Sequence, residues 1–395
     1  MKIQLCNHTF ENSDGQGGVN QRVADALSIN HWVIRVASDS TGDKRLSVRP
    51  WLPTPIRHQC FALKLCVYLF PAGDELLICN GAMTYVSTDI NISHFVHSAW
   101  MHADGHDWNQ RKSLRSGYQW LVTRLNSVLE KCAYRTARHV VAVSHSVRDD
   151  LIKFAGVDAQ KITVIPNGLD TRRFTKTTSS PSWRTDLPYG SLIIGFCGGL
   201  KTRRKNLDVL IDVMKSLPSN IHLAVAGAYE GGPYSEEIRS GGFADRIHLL
   251  GPVDDMPAFY KGCDLFVCVS HYEPWGQVVT EAMASGLPVI VSRNVGASSA
   301  IKHGENGLLI DSPRDALGLS VAIRELTIDS CKRDVLGSAA SKSALAFDWE
   351  RVGERYLELV NGMIPHAGIG RSVADSDGES CEALSERQAA IEAVE

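Results

Sequence analysis

Two carboxylates stand eight residues apart in the stretch SHYEPWGQVVTEAMASGLPVI, which covers residues 270–290. Glu273 falls in a loop beside a proline, and Glu281 falls in a helix-forming run. The valine-rich runs DLFVCVS and GLPVIVS on either side have the length of buried strands, which gives the order strand, loop, helix, strand. Parallel strands keep such loops at their carboxyl ends, where open sheets bind ligands. Both carboxylates are therefore predicted to face a ligand, and the alternative for Glu281 is a carboxylate that points into solvent.

The helix that begins near Gly276 offers a binding site of its own. Its first N–H groups have no partner inside the helix, and its dipole is positive at that end. Gly276 lacks a side chain and lets a ligand approach the backbone closely. The start of this helix is a predicted phosphate site, and Glu281, one or two turns later, would accept hydrogen bonds from sugar hydroxyls near that phosphate.

A cluster of four cations follows another predicted strand. The sequence KTRRKNL contains Lys201, Arg203, Arg204 and Lys205 and is separated from GFCGG by Leu200 alone. Fixed cations there would stabilise the negative charge that develops on a departing diphosphate, and each such contact is typically worth about 3 kcal/mol. The alternative is a solvated basic loop, the usual role of a run of charges. The position after a strand and two glycines favours the phosphate interpretation.

Histidines near residue 100 admit other chemistry. His97 follows Phe95 and Val96 in a predicted short strand, where it either contacts a reaction centre or is satisfied by backbone carbonyls. A zinc site is a further alternative, although the spacing of its candidate ligands fits no regular motif. Those candidates are His94, His97, His102, His106, Asp104 and Asp107. The DxD pair that holds Mg²⁺ or Mn²⁺ in some transferases occurs only at residues 375–377, in the acidic tail, so we expect no metal and no other cofactor.

The chain of 395 residues is long enough for two domains, and its apolar runs predict two of similar kind. Strand-sized runs in the first half are KIQLC, HWVIRVAS, ELLICN, ISHFVHSA, HVVAVS and KITVIPNGLD. Those in the second half are LIIGFCGG, IHLAVAG, IHLLGPV, DLFVCVS, LPVIVS and GLLI. Each half opens with a strand, a glycine-rich loop and a helix, which indicates an open α/β sheet. The predicted units are 1–175, 176–345, a helix in 346–365 and an acidic, disordered tail in 366–395.

Composition disfavours several classes of protein. The hydrophobic fraction is 44%, the charged fraction is 22% and the net charge is −3, so the chain as a whole does not attract nucleic acid. No apolar run reaches the roughly 18 residues of a membrane span, and MKIQLCNHTF does not have the pattern of a signal peptide. The ten cysteines include no CxxC pair, which is typical of free thiols in a reducing cytosol. We expect a cytoplasmic protein.

Several segments together resemble the retaining glycosyltransferases of family 4, which have the GT-B fold. Besides EPWGQVVTEAMASGLPVI, the shared segments occur in the family's order: GGV, FVHSAW, ARHVVAVSHSVRDDL, VIPNGLD, RRKNLDVLI, GPVDDMPAFYKGCDLFVCVSHYE and HGENGLLI. The resemblance covers most of residues 1–365 and implies two facing Rossmann-like α/β domains with open, mainly parallel sheets. It implies that 1–175 takes the acceptor, that 176–345 takes a nucleotide-sugar donor, and that the helix from about residue 346 packs back across the domain junction.

The resemblance also implies roles for single residues. Glu281 would bind the ribose hydroxyls of the nucleotide, and Glu273 would bind the hydroxyls of the transferred sugar. His97 would lie beside the sugar and the reaction centre, which makes His97 and Glu273 the candidate catalytic residues, with Glu273 orienting the sugar in preference to attacking it. The cations Arg204 and Lys205 would contact the diphosphate, and the glycines Gly17 and Gly18 would approach it from the N-terminal domain. The start of the helix would complete the donor site with Gly276, Gln277 and Val278.

Two departures from the family leave the donor open. Gly198 and Gly199 stand where many members have Gly-Arg, and Ser299 stands where many have glutamate. We expect transfer of a hexose from a nucleotide-diphosphate sugar to a glycan or lipid-linked sugar, in cell-surface polysaccharide or lipopolysaccharide synthesis. The alternatives are a nucleotide-sugar epimerase and a protein that binds nucleotide sugars without turnover. A dinucleotide oxidoreductase is disfavoured because DGQGGVNQ is not GxGxxG.

The segment 111–138 bears on where the acceptor lies. It holds seven basic residues against the single acid Glu130, with aromatic and aliphatic residues between them. Such a segment either lies on an anionic bilayer or forms an ordinary helix whose apolar face packs on the sheet. The first alternative predicts a peripheral protein at the inner face of the cytoplasmic membrane, with a lipid-linked acceptor.

Overall fold

The computed structural model describes residues 1–11, 15–49, 51, 54–69, 75–106, 114–175, 181–185, 187–230, 234–243 and 245–363. The predicted tail 366–395, the DxD pair at 375–377 and Asp107, Arg111 and Lys112 lie outside these ranges. Among the described helices, none is long and apolar enough to cross a membrane.

Two parallel sheets organise the described part of the chain. The first comprises β1 (Lys2–Cys6), β2 (Trp32–Ala37), β3 (Lys44–Arg45), β4 (Leu76–Asn80), β5 (Ile90–Ser93), β6 (His139–Ala142) and β7 (Ile162–Val164). The second comprises β8 (Leu192–Cys197), β9 (Ile221–Ala226), β10 (Ile247–Gly251), β11 (Leu265–Cys268), β12 (Val289–Ser292) and β13 (Leu308–Ile310). Each predicted strand run overlaps one of these strands, because valine, isoleucine and leucine fill parallel strands that are buried on both faces. The two-residue β3 was not predicted.

Helices connect the strands within each half. They are α1 (Gly15–Leu27), α2 (Thr54–Leu69), α3 (His97–Trp100), α4 (Leu114–Thr136), α5 (His145–Asp150), α6 (Thr171–Thr175), α7 (Ser182–Thr185), α8 (Leu207–Met214), α9 (Tyr234–Ser240), α10 (Met256–Lys261), α11 (Gln277–Ala284), α12 (Ala316–Ile328), α13 (Ser330–Ala344) and α14 (Trp349–Met363). Side chains that the sequence places at N-caps start several of them. Ser144 accepts a hydrogen bond from the Val147 N–H, and Asp315 accepts one from the Gly318 N–H.

The order of the strands shows where each sheet can hold a ligand. The first sheet has the order β3-β2-β1-β4-β5-β6-β7, and the second has the order β10-β9-β8-β11-β12-β13. Each order reverses beside its first strand, between β1 and β4 in one sheet and between β8 and β11 in the other. Ligands of open α/β sheets bind in the crevice that such a reversal leaves at the carboxyl ends of the strands. Both halves are therefore Rossmann-like and each carries one such crevice.

The last described helix returns to the first half of the chain. Val352, Tyr356 and Val360 of α14 are buried in the same apolar core as residues of β1 and α1. Gly353 allows this packing, since a Cβ there would lie 2.8 Å from the Cβ of Ala26 in α1. Residues that follow the second sheet thus complete the core of the first.

Two local expectations were wrong. His97 does not lie in a strand: β5 loses its pairing with β6 after Ser93, and the chain then turns so that His97 opens α3. Gly17 and Gly18 do not lie in a loop, because α1 already begins at Gly15. The glycine at 17 instead permits close packing, since a Cβ there would lie 2.8 Å from the carbonyl oxygen of Glu11.

Candidate active site

A cleft of about 750 Å³ opens between the two halves of the chain. Many of its wall residues follow the carboxyl ends of strands, as the topology predicts, and others lie in helices α1, α2 and α4. From the first half they include His8 after β1, Gly81 and Ala82 after β4, Phe95 and His97 after β5 and Asn167 after β7; from the second half they include Arg204 after β8 and Glu273, Pro274, Trp275, Gly276 and Gln277 after β11.

A buried carboxylate with two cations forms the charged part of this cleft. Lys205 Nζ donates a hydrogen bond to Glu273 Oε2, and the two side chains are only 10% and 11% exposed. Arg204 Nη1 lies 3.4 Å from the same oxygen and donates to the carbonyl of Tyr272 at 3.0 Å. The Ser270 hydroxyl lies 3.5 Å from it. Two cations against one carboxylate leave a net positive charge here.

The protonation state of Glu273 follows from these contacts. Burial by itself would raise the pKa of its carboxyl, but Lys205 and Arg204 more than offset this, so that the pKa lies below its ordinary value. Glu273 is therefore ionised at neutral pH. Gly198 makes room for the lysine, because a Cβ at that position would lie 2.7 Å from Lys205 Cε. Gly198, the first glycine of this pair, thus allows the ion pair to form, whereas Gly199, which stands in place of the family's arginine, has no atom within 4 Å of an added Cβ.

The start of α11 borders the cleft beside this cluster. Gly276 adopts φ 99°, a conformation that disfavours any residue with a Cβ. The Val279 N–H donates to the Gly276 carbonyl at 2.9 Å, so the N–H groups of Gln277 and Val278 precede the first hydrogen bond of the helix. Gln277 Nε2 donates to the Gly168 carbonyl at 2.6 Å and so ties this helix end to the other half of the chain.

Glu281 has a different hydrogen-bond partner from Glu273. Tyr260 Oη donates to Glu281 Oε2 at 2.8 Å, and burial raises the pKa of this carboxyl above its ordinary value. Among the described residues that line the cleft, Glu281 is not included. The two carboxylates of the motif therefore have opposite environments: Glu273 is held ionised by cations, and Glu281 is buried against a tyrosine.

His97 has a carboxylate partner that sequence reasoning missed. Its Nδ1 lies 2.7 Å from Glu130 Oε2, and Glu130 is 1% exposed. The second oxygen of Glu130 accepts from the Ser98 N–H at 3.2 Å, which fixes the carboxylate against α3. The other ring nitrogen of His97 lies 3.4 Å from Asn126 Nδ2, and both residues line the cleft. A lone acid in the basic segment 111–138 was the one available signal for Glu130.

Tyr272 links the two sides of the cleft. Its hydroxyl accepts from the Val96 N–H at 3.2 Å and lies 3.4 Å from the Val96 carbonyl. Its ring meets Phe95 edge-on at a centroid distance of 5.0 Å. The hydroxyl also bonds Asp150, whose pKa is raised to about 6, mainly by burial. Since Val96 precedes His97 and Tyr272 precedes Glu273, this one side chain joins the backbones that carry the two candidate catalytic residues.

The histidine cluster does not converge. In the described ranges, no three histidine, cysteine, aspartate or glutamate side chains come together as they would around a metal ion. His102 Nδ1 lies 2.8 Å from the Ser98 carbonyl, and the ring of His106 packs on Trp100. Of the three histidines His97, His102 and His106, His97 is the one that contacts a carboxylate at the cleft, that of Glu130. Ser299, at the family's glutamate position, donates to the Gly296 carbonyl at 3.0 Å.

Two family models match the chain in succession. The model described as Glycosyltransferase Family 4 matches residues 25–173, and that described as Glycosyl transferases group 1 matches residues 182–343. This chain belongs to glycosyltransferase family 4. The predicted family is thereby confirmed. Within this family 4 chain, the second match includes the Glu273 cluster and α11, and the first includes His97 and Glu130.

Individual relatives agree with this assignment. The family 4 chain is 28% identical to the D-inositol 3-phosphate glycosyltransferase of Xylanimonas cellulosilytica over 234 residues, which are 56% of each protein. It therefore spans little more than half the length of this relative. Its fold is similar to that of the sucrose-phosphate synthase of Thermosynechococcus elongatus (TM-score 0.77, 20% identity, 92% of this chain and 99% of that one). It is also similar to Anabaena HepE, solved in complex with UDP and glucose (TM-score 0.68, 21% identity, 92% and 100%). These likenesses confirm the predicted GT-B fold.

The predicted site residues of this family 4 chain fall into two groups. His97, Arg204, Glu273, Gly276 and Gln277 all line the cleft. Lys205 joins them through its ion pair with Glu273. In the described part of the chain, the remaining predicted residues do not line it: Gly17, Gly18, Val278 and Glu281. The roles in donor binding and catalysis stay predictions for both groups.

Proposed function

We propose that this chain transfers a hexose from a nucleotide-diphosphate sugar to a glycan or lipid-linked sugar, with retention at the anomeric carbon and without a metal ion. The observation that carries the proposal is the buried Glu273, paired with Lys205 and Arg204 in the cleft between two Rossmann-like domains. Membership of family 4 supports it, as does the likeness to HepE, which was solved with UDP and glucose.

The proposed reaction exchanges one bond at the anomeric carbon for another. The bond from this carbon to the terminal phosphate oxygen breaks, and a bond to the acceptor's hydroxyl oxygen forms on the same face. The leaving phosphate oxygen takes the proton of that hydroxyl, so the nucleotide diphosphate departs and no protein nucleophile is required. This balance needs groups that stabilise the leaving phosphate and groups that orient the sugar.

The charged cluster suits both needs. Arg204 and Lys205 together carry one more positive charge than Glu273 neutralises, and this excess stabilises the negative charge that develops on the diphosphate. The start of α11 adds N–H donors. Glu273, kept ionised, can accept hydrogen bonds from sugar hydroxyls. His97, held by Glu130, contacts the reacting sugar from the opposite wall. These positive groups take the place that Mg²⁺ or Mn²⁺ has in other transferases, which is why we propose transfer without a metal.

Turnover of defined donors tests the proposal. Purified protein is incubated with uridine, guanosine and adenosine diphosphate hexoses and a panel of soluble and lipid-linked sugar acceptors, with and without EDTA, and both the released nucleotide diphosphate and the glycosylated product are measured. We expect release with at least one donor, unaffected by EDTA, and an α-linked product from an α-linked donor. Glu273→Gln should abolish most of the release. The matched control is Glu305→Gln, because Glu305 is 72% exposed and pairs with Lys302, which is 77% exposed. This control should leave the release unchanged.

The alternatives give different outcomes. A nucleotide-sugar epimerase would change the sugar while it stays attached to the nucleotide. A binding protein without turnover would show a thermal shift with donors but no release. Loss of activity in EDTA with rescue by Mg²⁺ or Mn²⁺ would contradict the metal-independent part of the proposal.

The surface of α4 supports a membrane-bound acceptor. Ser116, Thr123, Ser127 and Glu130 of this helix are buried, together with Ala133 and Tyr134 near its end, whereas a stripe of apolar side chains at helical spacing is exposed. The exposed ones are Tyr118 (56%), Leu121 (61%), Leu125 (47%) and Val128 (52%). A surface helix ordinarily exposes polar side chains, so this exposed stripe favours the bilayer over an ordinary helix, and both alternatives stay predictions.

The occupant that we propose for this face is an anionic bilayer. Arg124 is exposed beside the apolar stripe and Lys131 is half-buried at its end, and cations flanking an apolar face favour anionic lipid. Each such cation contributes on the order of 1 kcal/mol near the surface. The protein would then act peripherally at the cytoplasmic membrane, where a lipid-linked sugar in polysaccharide or lipopolysaccharide synthesis is accessible.

Vesicle sedimentation tests this surface. We expect the protein to co-sediment with phosphatidylglycerol vesicles at low salt and much less with neutral vesicles. The double substitution L121S/L125S should abolish binding. The matched control L317S/V321S changes two apolar residues of α12 that are 78% and 57% exposed and should not reduce it. Absence of sedimentation, or an equal loss of vesicle binding in L317S/V321S, would contradict the proposal that this face binds a membrane.

A further inference from the structure

Tyr272 belongs to the second domain, but its side chain is buried against the first. It lies in the turn after β11, is 9% exposed, and packs its ring edge-on against Phe95 and 5.9 Å from the ring of Trp100. Its hydroxyl accepts from the Val96 N–H at 3.2 Å and bonds Asp150, the last residue of α5. All four partners belong to the first domain. They form what is called here the Tyr272 socket: Phe95, Val96, Trp100 and Asp150.

The turn that carries Tyr272 is fixed to the second domain from both sides. On one side the His271 N–H donates to the Arg204 carbonyl at 2.9 Å, and Arg204 Nη1 donates to the Tyr272 carbonyl at 3.0 Å. On the other side Asn294 Nδ2 donates to the carbonyls of Ser270 and His271 at 2.8 and 2.9 Å. Tyr272 therefore moves with the second domain.

The Tyr272 socket is fixed within the first domain. Tyr134 Oη donates to the Phe95 carbonyl at 3.1 Å, which holds the segment that follows β5. The Trp100 N–H donates to the Val96 carbonyl at 3.0 Å across the first turn of α3. The hydroxyl of Tyr272 thus joins two backbones that are each fixed in their own domain, so its hydrogen bond to Val96 sets the spacing between them.

The two domains approach closely on either side of this socket. Gly105 of the first domain faces His271, because a Cβ at that glycine would lie 2.7 Å from the His271 Cβ. Gly296 of the second domain faces Ser144, and a Cβ there would lie 2.9 Å from the Ser144 Cβ. A larger residue at either glycine would push the domains apart. The contact of Tyr272 with its socket is therefore part of a close-packed seam between the domains.

We propose that Tyr272 is a positioning residue for sugar transfer, which sets the separation between His97 and Glu273 by holding the two domains in register at its socket. Tyr272 directly precedes Glu273, and Val96 directly precedes His97. Among the described residues Tyr272 does not line the cleft, so it acts through these neighbours and not on the substrate. A displacement of reacting groups by about 1 Å can lower a rate about 100-fold. This inference rests on the proposed transferase function.

The charge of Asp150 determines how strongly the hydroxyl is held. Burial is the main reason that the pKa of Asp150 is raised to about 6; Asp149 raises it further, and the Tyr272 hydroxyl and Lys153 lower it. Burial also raises the pKa of Tyr272 well above its ordinary value, so its hydroxyl stays a donor. Neighbouring titratable or cationic side chains on the packed elements have partners of their own: Glu130 and His97 contact each other, His102 contacts the Ser98 carbonyl, and Arg135 contacts the Ala155 carbonyl.

The strength of the contact should therefore change with pH. An ionised carboxylate accepts a charge-assisted hydrogen bond, which is about twice as strong as the bond to a neutral carboxyl. Asp150 becomes ionised as the pH rises through about 6, so the Tyr272 hydroxyl is held more strongly above this pH than below it. A merely structural tyrosine would not link the rate of transfer to the charge of this one carboxylate.

The pH dependence of kcat tests the proposal on the full chain, with the donor and acceptor that it uses. We expect kcat of the wild type to fall about fivefold between about pH 7.5 and pH 5, with a midpoint near pH 6. Tyr272→Phe keeps the ring contacts and loses the hydroxyl, so it should lower kcat about tenfold at pH 7.5 and abolish this pH dependence. Its calorimetric affinity for the nucleotide diphosphate should stay unchanged. Asp150→Asn should keep kcat at the low-pH level of the wild type throughout.

Two matched variants provide the controls. Asp149→Asn removes a charge that raises the pKa of Asp150, so it should shift the midpoint to lower pH and leave kcat at pH 7.5 unchanged. Tyr356→Phe removes the hydroxyl of a tyrosine that is 2% exposed in the core of the first domain, and it should change neither kcat nor the midpoint. Unchanged kcat in Tyr272→Phe, an equal loss in Tyr356→Phe, a parallel loss of nucleotide affinity, or a midpoint that persists in Asp150→Asn would overturn the inference.

Amide hydrogen exchange separates failure of the inference from failure of the proposed function. If no donor is turned over, the transferase proposal fails, but the Val96 amide still reports on the contact, because it donates to Tyr272 Oη. After correction for the intrinsic effect of pH on exchange, protection of this amide should fall about tenfold in Tyr272→Phe and should be retained in Tyr356→Phe. A loss confined to Tyr272→Phe supports the contact between the domains, and equal protection in the wild type and Tyr272→Phe overturns it.

Discussion

Removing the charge of Lys205 should destabilise the second domain far more than removing the charge of an exposed lysine. Lys205→Met keeps the length and the apolar stem of the side chain. It leaves Glu273, whose side chain is 11% exposed, with Arg204 at 3.4 Å and Ser270 at 3.5 Å. A buried carboxylate thus loses its nearest cation while its own charge stays in place.

The size of the effect follows from this burial. Breaking a buried ion pair by removing one partner costs about 3–5 kcal/mol, and because Arg204 remains we expect the lower end, about 3 kcal/mol. For a domain of this size each kcal/mol lowers Tm by about 2–4 °C, which gives about 6–12 °C. The matched Lys215→Met removes a 2.5 Å contact with Asp212 whose side chains are 57% and 63% exposed. Such an exposed pair is worth about 0–1 kcal/mol.

The loss should also depend on pH. The pKa of Glu273 in the folded protein lies below its ordinary value of 4.5, so its ionisation stabilises the wild type above that pH, and this stabilisation is lost as the pH falls through the folded-state pKa. Without Lys205 we expect burial to dominate and to raise the pKa of Glu273. Ionised Glu273 then destabilises the variant as the pH rises, so the difference in Tm should be larger at about pH 7.5 than at about pH 5.

Scanning calorimetry of the wild type and both variants at the two pH values provides the measurement, together with kcat/KM for the donor. Loss of a charge-assisted contact to the leaving group should lower kcat/KM at least about tenfold in Lys205→Met. Equal Tm values for Lys205→Met and Lys215→Met would refute the buried pair. A difference that grows toward low pH would refute the assigned pKa direction, and unchanged kcat/KM would remove Lys205 from the reaction.

Three other substitutions test the roles of Glu281, of Glu130 and of Tyr272, which joins the two sides of the cleft. Glu281→Gln should weaken calorimetric binding of the free nucleotide diphosphate, and unchanged affinity would contradict its ribose role. Glu130→Gln should lower kcat at least about tenfold, because a charge-assisted contact positions His97, and should leave the affinity for the nucleotide diphosphate unchanged. Equal losses in kcat and in nucleotide affinity would indicate a merely structural role. Tyr272→Phe should cost about 1–3 kcal/mol of unfolding free energy. Asp150, with a pKa raised to about 6, then loses a hydrogen bond that lowers this pKa, so the cost should rise between about pH 5 and pH 8, and a pH-independent cost would contradict this.

The strands and the approximate position of the cleft were predictable because they depend on local pattern. Apolar runs such as LFVC and VIVS became strands, and the proline and glycine after β11 became the turn that places Glu273 and Gly276 at the sheet edge. The exact start of an element was less predictable, since it depends on pairing. His97 lies outside the strand because the pairing of β5 with β6 ends at Ser93. No residue near Ser93 indicates from the sequence that the pairing ends there.

Helix α4 shows why the sequence pattern alone could not decide which side chains are buried. Its apolar and basic residues give an amphipathic helix in either orientation, and the sequence left both open. Its buried face carries Glu130, which contacts His97 and Ser98 of α3, and near the end of the helix also Tyr134. These contacts join residues about thirty positions apart, so no local pattern specifies them.

The sequence by itself determined two Rossmann-like halves, the order of their strands along the chain, the chemical types at the ends of those strands and the family. These follow from hydrophobic period, turn residues and spacing, all of which act over a few residues. Only the tertiary structure decided the pairings: Lys205 with Glu273, Glu281 with Tyr260, His97 with Glu130, and Tyr272 with Val96. The reason is physical. Whether a charged or polar group is ionised, satisfied or orphaned depends on the burial and partners that folding brings to it from distant parts of the chain, and no local pattern specifies them.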